Sequence, residues 1–162
     1  MKSLKIYKIK DKYIQFLRSW DNRVLYNKNH GRPYVGIVLY VSDYQYFVPM
    51  ESPKPNHANM KPGKHIFKID GGRLGILGFN NMIPVHSAAL INFNIDKEPD
   101  EKYADLLRRQ AAFINRNKAD VLEHAAQTYY NVVKKHNKFL LKICCDFKKL
   151  EYACKQYRTN ET

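Results

Sequence analysis

The chain has 162 residues, with 28 Lys and Arg against 15 Asp and Glu, a formal net charge of +13. That length suits one hydrophobic core and leaves little material for a second, so a single domain over 1–162 is expected. No run of eighteen apolar residues occurs, and the N-terminal MKSLKIYKIKDKY alternates charges with hydrophobes, which argues against a membrane span or a signal core and for a soluble, cytoplasmic protein with no membrane partner.

In chain order, LKIYKI (Leu4 to Ile9) alternates with period two and predicts a half-buried strand. DKYIQFLRSWD (Asp11 to Asp21) spaces Tyr13, Phe16, Leu17 and Trp20 along one face of a short amphipathic helix, with Tyr13 and Trp20 as core anchors. NRVLYNKNHGR follows as a basic loop. PYVGIVLYV (Pro33 to Val41) is the strongest strand signal, with Gly36 marking a bulge or a close approach. SDY turns it into an antiparallel partner, QYFVPM (Gln45 to Met50). Further strands are expected at HIFKI (His65 to Ile69), at RLGILGF (Arg73 to Phe79) after the hairpin turn Asp70-Gly71-Gly72, at NMIPV (Asn81 to Val85) and at AALINFNI (Ala88 to Ile95). Strands this short, joined by Gly and Pro turns, predict a small, curled, barrel-like antiparallel sheet over about 1–96.

The composition then changes. From Asp100 to Tyr157 there is no Pro or Gly, and apolar residues recur at spacings of three and four. Two helices are predicted, broken near Arg116 to Asp120, and a third in FLLKICCDFKKLEYACKQY, giving a helical part over about 100–158. Each helix has one apolar stripe that must be buried on the sheet or on another helix, so the fold class is α+β.

Three cysteines, Cys144, Cys145 and Cys154, are poor material for a disulfide framework, and no second CxxC or nearby histidine completes a metal site. They read as helix residues in a reducing compartment. The basic balance is more informative. The first 35 residues carry Lys2, Lys5, Lys8, Lys10, Lys12, Arg18, Arg23, Lys28 and Arg32 against Asp11 and Asp21 alone. Such a surface attracts polyanions, and the 12 tyrosines add groups that stack on bases or bond phosphates.

GxxxxGK, GxGxxG, HExxH and GxSxG are all missing, and the strand region lacks acidic pairs at two-metal spacing. No cofactor and no metal is expected. A metal-free ribonuclease needs less, because RNA supplies its own nucleophile, the 2'-OH. The protein must deprotonate it, neutralise the phosphorane and protonate the departing 5'-oxygen.

SPKPNH (Ser52 to His57) has suitable residues in a loop shaped by Pro53 and Pro55, which exclude a helix interior or central strand. Ser52, Lys54, His57, Lys28, Arg32 and Tyr26 are the candidate groups. His57 admits two readings, a cap on backbone groups or an acid or base; His30 reads as a phosphate contact or a solvated loop residue. His86 reads as structural. Of Tyr129 and Tyr130, at most one faces the core.

The order of KIYKI, KYIQFLRSWDNRV, RPYVGIVLYV, YFVPMESPKPNHANMK, GRLGILGFNNMIPV and YADLLRRQAAFINRN over nearly the whole chain resembles the ToxN/AbiQ family, the endoribonuclease toxins of type III toxin-antitoxin systems. The resemblance implies a MazF/Kid-like small-barrel core decorated by helices. It also implies a metal-independent RNase that leaves 2',3'-cyclic phosphate and 5'-OH ends and acts in abortive infection against phages. The implied partners are an RNA antitoxin cut from a repeat transcript into pseudoknots, held in a closed toxin-RNA hetero-oligomer without a protein antitoxin, and cellular or phage RNA substrates. The hydroxyl and lysine of the family's S-P-K loop fall on Ser52 and Lys54, and its basic residue before the core strand on Arg32, where other members can have lysine.

Other members can carry Thr before that serine; here the position is Glu51. It could act as a base or face away along the strand, and strand alternation favours the second. A lysine is ordinarily protonated at neutral pH, so Lys54 suits charge stabilisation or acid catalysis. With Arg32 it would hold the scissile phosphate while Ser52 positions the 2'-OH or a phosphate oxygen, with His57 and Tyr26 as secondary candidates. Lys2, Lys5, Lys8, Lys28, His30, Lys61, Lys64, Arg108, Arg109 and Arg116 form the candidate RNA track, which bound antitoxin would fill. The rival classes are a non-catalytic structured-RNA-binding protein and a double-stranded DNA-binding regulator.

Overall fold

The computed structural model describes residues 2–28 and 31–160. Seven strands form one antiparallel sheet: β1 (Lys5–Ile9), β2 (Tyr34–Val41), β3 (Tyr44–Glu51), β4 (Ile66–Lys68), β5 (Ile76–Gly78), β6 (Ile83–Pro84) and β7 (Leu90–Asn92). The order is β4-β5-β3-β2-β1-β7, with β6 also on β3, so the sheet ends at β4 and β7 and does not close. The free edge of β3 is shared: Tyr46 and Phe47 pair with β6, while Met50 and Glu51 pair with β5. One strand thus serves two partners at its two ends.

Gly36 is both things expected of it. The β2–β3 register shifts between Val35 and Leu39, and a Cβ on Gly36 would lie 2.2 Å from the Phe47 ring. The missing side chain leaves room for that ring in the core.

α1 (Asp11–Trp20) runs as predicted, with Tyr13, Ile14 and Leu17 buried. The Tyr13 hydroxyl donates to the Pro84 carbonyl at 2.6 Å, and half-buried Trp20 packs edge-on against Tyr152, with ring centroids 5.5 Å apart. α2 (Glu101–Arg116) and α3 (Lys118–Val133) break at Asn117, inside the expected interval. The third predicted helix is two: α4 (Lys138–Ile143) and α5 (Phe147–Asn160). The sequence pattern runs through the break, but Cys144 is extended and the Cys145 N–H donates to the Asn80 carbonyl at 2.9 Å. Asp146 then starts α5 by accepting the Lys149 N–H. Tertiary bonds to the backbone end α4 where periodicity alone would continue it.

The four strands β4 to β7 are all shorter than expected. Arg73 to Gly75 belong to the turn before β5, where Gly72 and Gly75 have φ of +94° and +111°. β7 keeps three residues because His86 and Asn94 each accept a backbone N–H two residues on and bend the flanks into short turns. His86 is thus structural. Sheet and helices share one cluster of buried hydrophobic residues, including Tyr13, Phe47, Leu107, Val121 and Phe147.

Candidate active site

Strand pairing brings the candidate residues together. Tyr34 at the start of β2 pairs with Pro49 near the end of β3, and the Met50 N–H donates to the Pro33 carbonyl at 3.0 Å. Continuing that register outward sets Arg32 opposite Glu51, so the basic residue before one strand meets the loop after the next. The result is a cavity of about 310 Å³ lined by Lys8, Lys28, Gly31, Arg32, Pro33, Met50, Glu51, Ser52, Lys54 and Tyr103. Among the described residues four cationic side chains and one carboxylate line it, which is the electrostatics of an anion site.

Arg32 is buried, at 8% exposure. Its backbone N–H donates to Asn27 Oδ1 at 3.0 Å and its Nε to the Tyr26 carbonyl at 3.2 Å. Its two terminal nitrogens make no hydrogen bond among the described residues. Ser52 and Lys54 are exposed on the loop, while the same loop buries His57 at 1% exposure.

His57 sits beneath the loop in a tight turn over Pro55–His57. Its Nδ1 accepts the Lys54 backbone N–H at 3.2 Å, and its own N–H donates to the Lys54 carbonyl at 3.0 Å. Because Nδ1 accepts, a neutral ring carries its proton on Nε2, which lies 3.5 Å from Glu51 Oε2. Glu51 therefore does not face away along the strand as alternation suggested. The turn folds His57 back under the end of β3 and the carboxylate points at it.

A second layer supports the loop. A Cβ on Gly75 would lie 2.0 Å from the Glu51 carbonyl oxygen, and one on Gly72 would lie 2.9 Å from the His57 carbonyl. The turn before β5 thus touches the loop backbone at both ends. Behind it, Gln110 Nε2 on α2 donates to the Leu74 carbonyl at 2.8 Å. Tyr103 lies seven residues earlier, two helical turns away on the same face of α2, and lines the cavity. Gly72, Gly75, Tyr103 and Gln110 are the residues that sequence reasoning missed. The paired glycines after Asp70 were the available signal, read there only as a hairpin turn.

The other candidates are dispersed. Tyr26 contributes its carbonyl to Arg32, but its ring lines a neighbouring concavity. Lys2 and Lys5 line a groove between β1, β2 and α3. Lys61 and Lys64 are exposed beyond the loop, Arg108 pairs with Asp96 at 3.0 Å, Arg109 is exposed on α2, and Arg116 lies over the Phe113 ring. His30 lies outside the described residues.

Tyr34, beside Arg32, is fully buried, and burial pushes its phenol far above the usual range. Burial likewise pushes the Cys144 thiol up to about 12 and Cys145 higher still, so neither is a thiolate at neutral pH. Among the described residues no three His, Cys, Asp or Glu side chains are grouped to hold a metal ion, and no helix is long and apolar enough to cross a membrane.

The sequence matches, over residues 5–155, the family model described as Toxin ToxN, type III toxin-antitoxin system. The chain belongs to the ToxN family. It is 33% identical to Endoribonuclease ToxN of Bacillus thuringiensis subsp. kurstaki, over 97% of this chain and 86% of that one. It is 29% identical to Endoribonuclease AbiQ of Lactococcus lactis subsp. lactis, over 99% and 92%. Its fold is similar to that of a solved type III toxin described as selectively inhibited by a non-coding RNA pseudoknot, with a TM-score of 0.84 at 32% identity, covering 97% of this chain and 99% of that one. It is also similar to the solved AbiQ, a lactococcal anti-phage endoribonuclease, with a TM-score of 0.88 at 25% identity, covering 98% and 99%. The ToxN-family fold therefore extends across the whole strand and helix arrangement that positions the cavity.

Proposed function

We propose that the protein is a metal-independent endoribonuclease toxin that cleaves single-stranded RNA at the Arg32–Ser52–Lys54 cavity, leaving a 2',3'-cyclic phosphate and a 5'-hydroxyl. The observation that carries this reading is the convergence of those three residues, from two separate loops, on one cavity, with Arg32 terminal nitrogens that make no hydrogen bond among the described residues. Arg32 and Lys54 bind the scissile phosphate, where negative charge grows in the transition state and oriented cations act most strongly. Ser52 orients the 2'-OH. Glu51, the one carboxylate among the described residues that line the cavity, takes the 2'-OH proton as the 2'-oxygen bonds to phosphorus. The bond from phosphorus to the 5'-oxygen breaks, and the Lys54 ammonium protonates the departing oxygen. Solvent exchange then resets both groups. His57 acts through the loop: buried with Nδ1 on the Lys54 N–H, it fixes where Lys54 and Ser52 stand.

The same site suits processing of a repeat RNA antitoxin and inhibition by the resulting pseudoknot, since RNA lying in the cavity occupies every group the reaction uses. The pseudoknot inhibition described for a solved relative supports this extension, as does the net charge of +13. Lys8 and Lys28 at the cavity rim would continue the RNA track. A closed toxin-RNA assembly without a protein antitoxin, acting on cellular or phage RNA in the cytoplasm, completes the reading.

The deciding experiment incubates the protein with single-stranded RNA in EDTA, maps the product ends, and repeats the assay with Lys54→Ala and Ser52→Ala. Cyclic-phosphate ends that vanish in both variants while RNA binding persists are the expected result. Tight binding without cleavage by the wild type would make the protein a structured-RNA-binding module and the loop an anion clamp.

A further inference from the structure

Beside the phosphate cavity lies a second concavity of about 520 Å³, and Lys28 lines both. One wall is α1, through Asp11, Gln15 and Arg18, and the other is Tyr26. Tyr26 is 70% exposed. It is nevertheless held in place. The Arg18 guanidinium lies 3.6 Å from its ring centroid, and Arg18 is itself bonded to the carbonyls of Asn22 and Val24. The Tyr26 carbonyl accepts from Arg32 Nε, so the residue that presents the ring also helps to fix the guanidinium of the phosphate cavity. An aromatic plate already held by its neighbours loses little conformational freedom when a flat ligand stacks on it.

We propose that Tyr26 is the stacking platform for an unpaired nucleobase adjoining the phosphate bound by Arg32 and Lys54, and that Asp11 and Gln15 read the edge of that base. The proposal rests on the ribonuclease reading and extends it to substrate selection. One Asp11 oxygen accepts from Asn27 Nδ2 at 2.5 Å; its other oxygen and the Gln15 amide make no hydrogen bond among the described residues. A carboxylate only accepts, whereas an amide both donates and accepts. The pair suits a base carrying an exocyclic amino group, as adenine, cytosine and guanine do, whereas uracil offers Asp11 only its N3–H, flanked by two carbonyl oxygens that repel the carboxylate.

The test uses a short RNA with a 2'-deoxy block at the scissile nucleotide and 2-aminopurine at the flanking position, so that stacking is read as fluorescence quenching without cleavage. Cleavage of unblocked RNAs, with each base in turn at that position, is measured alongside. Tyr26→Phe keeps the plate and removes the hydroxyl; Tyr26→Leu removes the plate. The expected result is quenching retained in Tyr26→Phe and lost in Tyr26→Leu. The Leu variant should lose about tenfold to a hundredfold in kcat/KM, the range that base stacking on aromatic side chains brings. Asp11→Asn should narrow the preference against uracil, with quenching kept. Equal loss in the Phe and Leu variants, undiminished quenching in Tyr26→Leu, or indifference to the flanking base would each overturn the proposal. A wild type that quenches but does not cleave would sink the ribonuclease reading and leave the stacking platform standing.

Discussion

The buried imidazole of His57 accepts the backbone N–H of Lys54 on Nδ1 at 3.2 Å, so the proposed catalytic lysine is held from below by a ring that solvent does not reach. A strut and an acid-base catalyst respond differently to substitution. Asn places Oδ1 close to where Nδ1 stands and can accept the same N–H, whereas Ala cannot. We expect His57→Ala to lose roughly 1–3 kcal/mol of stability, as the part-buried Lys54 N–H is left unmatched and the buried ring is removed. Its cleavage rate should fall about a hundredfold as the loop drifts. His57→Asn should recover most of both. Thermal melts and single-turnover rates measure the pair; an Asn variant as inactive as Ala but fully stable would instead make Nε2 a participant in the chemistry.

Gly75 offers a second control over the same loop. With φ of +111° and a virtual Cβ 2.0 Å from the Glu51 carbonyl oxygen, Gly75→Ala must push the two turns apart. The loss should exceed about 1 kcal/mol and be accompanied by loss of cleavage. Gly71 also has positive φ, +65°, but its nearest neighbour is the tip of Arg73 at 3.6 Å. Gly71→Ala should therefore cost about 1 kcal/mol from backbone strain alone and leave the cleavage rate close to wild type. Equal activity losses in the two variants would show that the contact with Glu51 does not position the site.

The strands and the break between α2 and α3 were legible because each follows from short-range rules: alternation and helical spacing. That the loops carrying Arg32 and Ser52 meet was not, because it depends on the register between β2 and β3; only the family resemblance set both residues in one site. Nor was the placement of Glu51. Alternation sends it away from the loop, and only the turn over Pro55–His57, which returns the chain beneath β3, reverses that outcome. The support from Gly72, Gly75 and Gln110 was likewise hidden, since it depends on contacts between segments distant in sequence, Gly72 with His57, Gly75 with Glu51 and Gln110 with Leu74. The division of the third predicted helix had the same origin: Asn80 and Asp21 capture the N–H groups of Cys145 and Asp146, bonds that periodicity cannot anticipate.

Asp21 makes stability depend on pH. Burial pushes its carboxyl up, but the Arg23 side chain and the backbone N–H groups of Asp146 and Arg23 together outweigh burial and hold it below the usual range. A folded-state pKa below the unfolded one gives stability that is present in full above the unfolded value and disappears as pH falls through the folded one. Asp21→Asn should thus be less stable at pH 7 by roughly 2–3 kcal/mol, the worth of hydrogen bonds to a charged group. The gap should begin to shrink below about pH 4, where the unfolded carboxyl takes up its proton, and should close only below the lower folded-state value. Urea titrations at pH 7 and pH 3 test this, and a gap that stays constant would assign the loss to packing.

The alternation of β1 separates two sets of lysines. Lys8 lines the phosphate cavity with its ammonium 4.5 Å from the Phe93 ring centroid, while Lys5 lies on the other face, in the groove against α3. A short single-stranded RNA that fills only the cavity should release counterions from Lys8 and not from Lys5. For such an RNA, Lys8→Ala should lower the slope of log affinity against log salt by about 0.7, the value for one phosphate contact on a single strand. Lys5→Ala should leave that slope unchanged. With a longer folded RNA, a further drop in the Lys5 variant would place part of the RNA track on the α3 groove. A Lys8 slope equal to wild type on the short RNA would remove this lysine from the phosphate site.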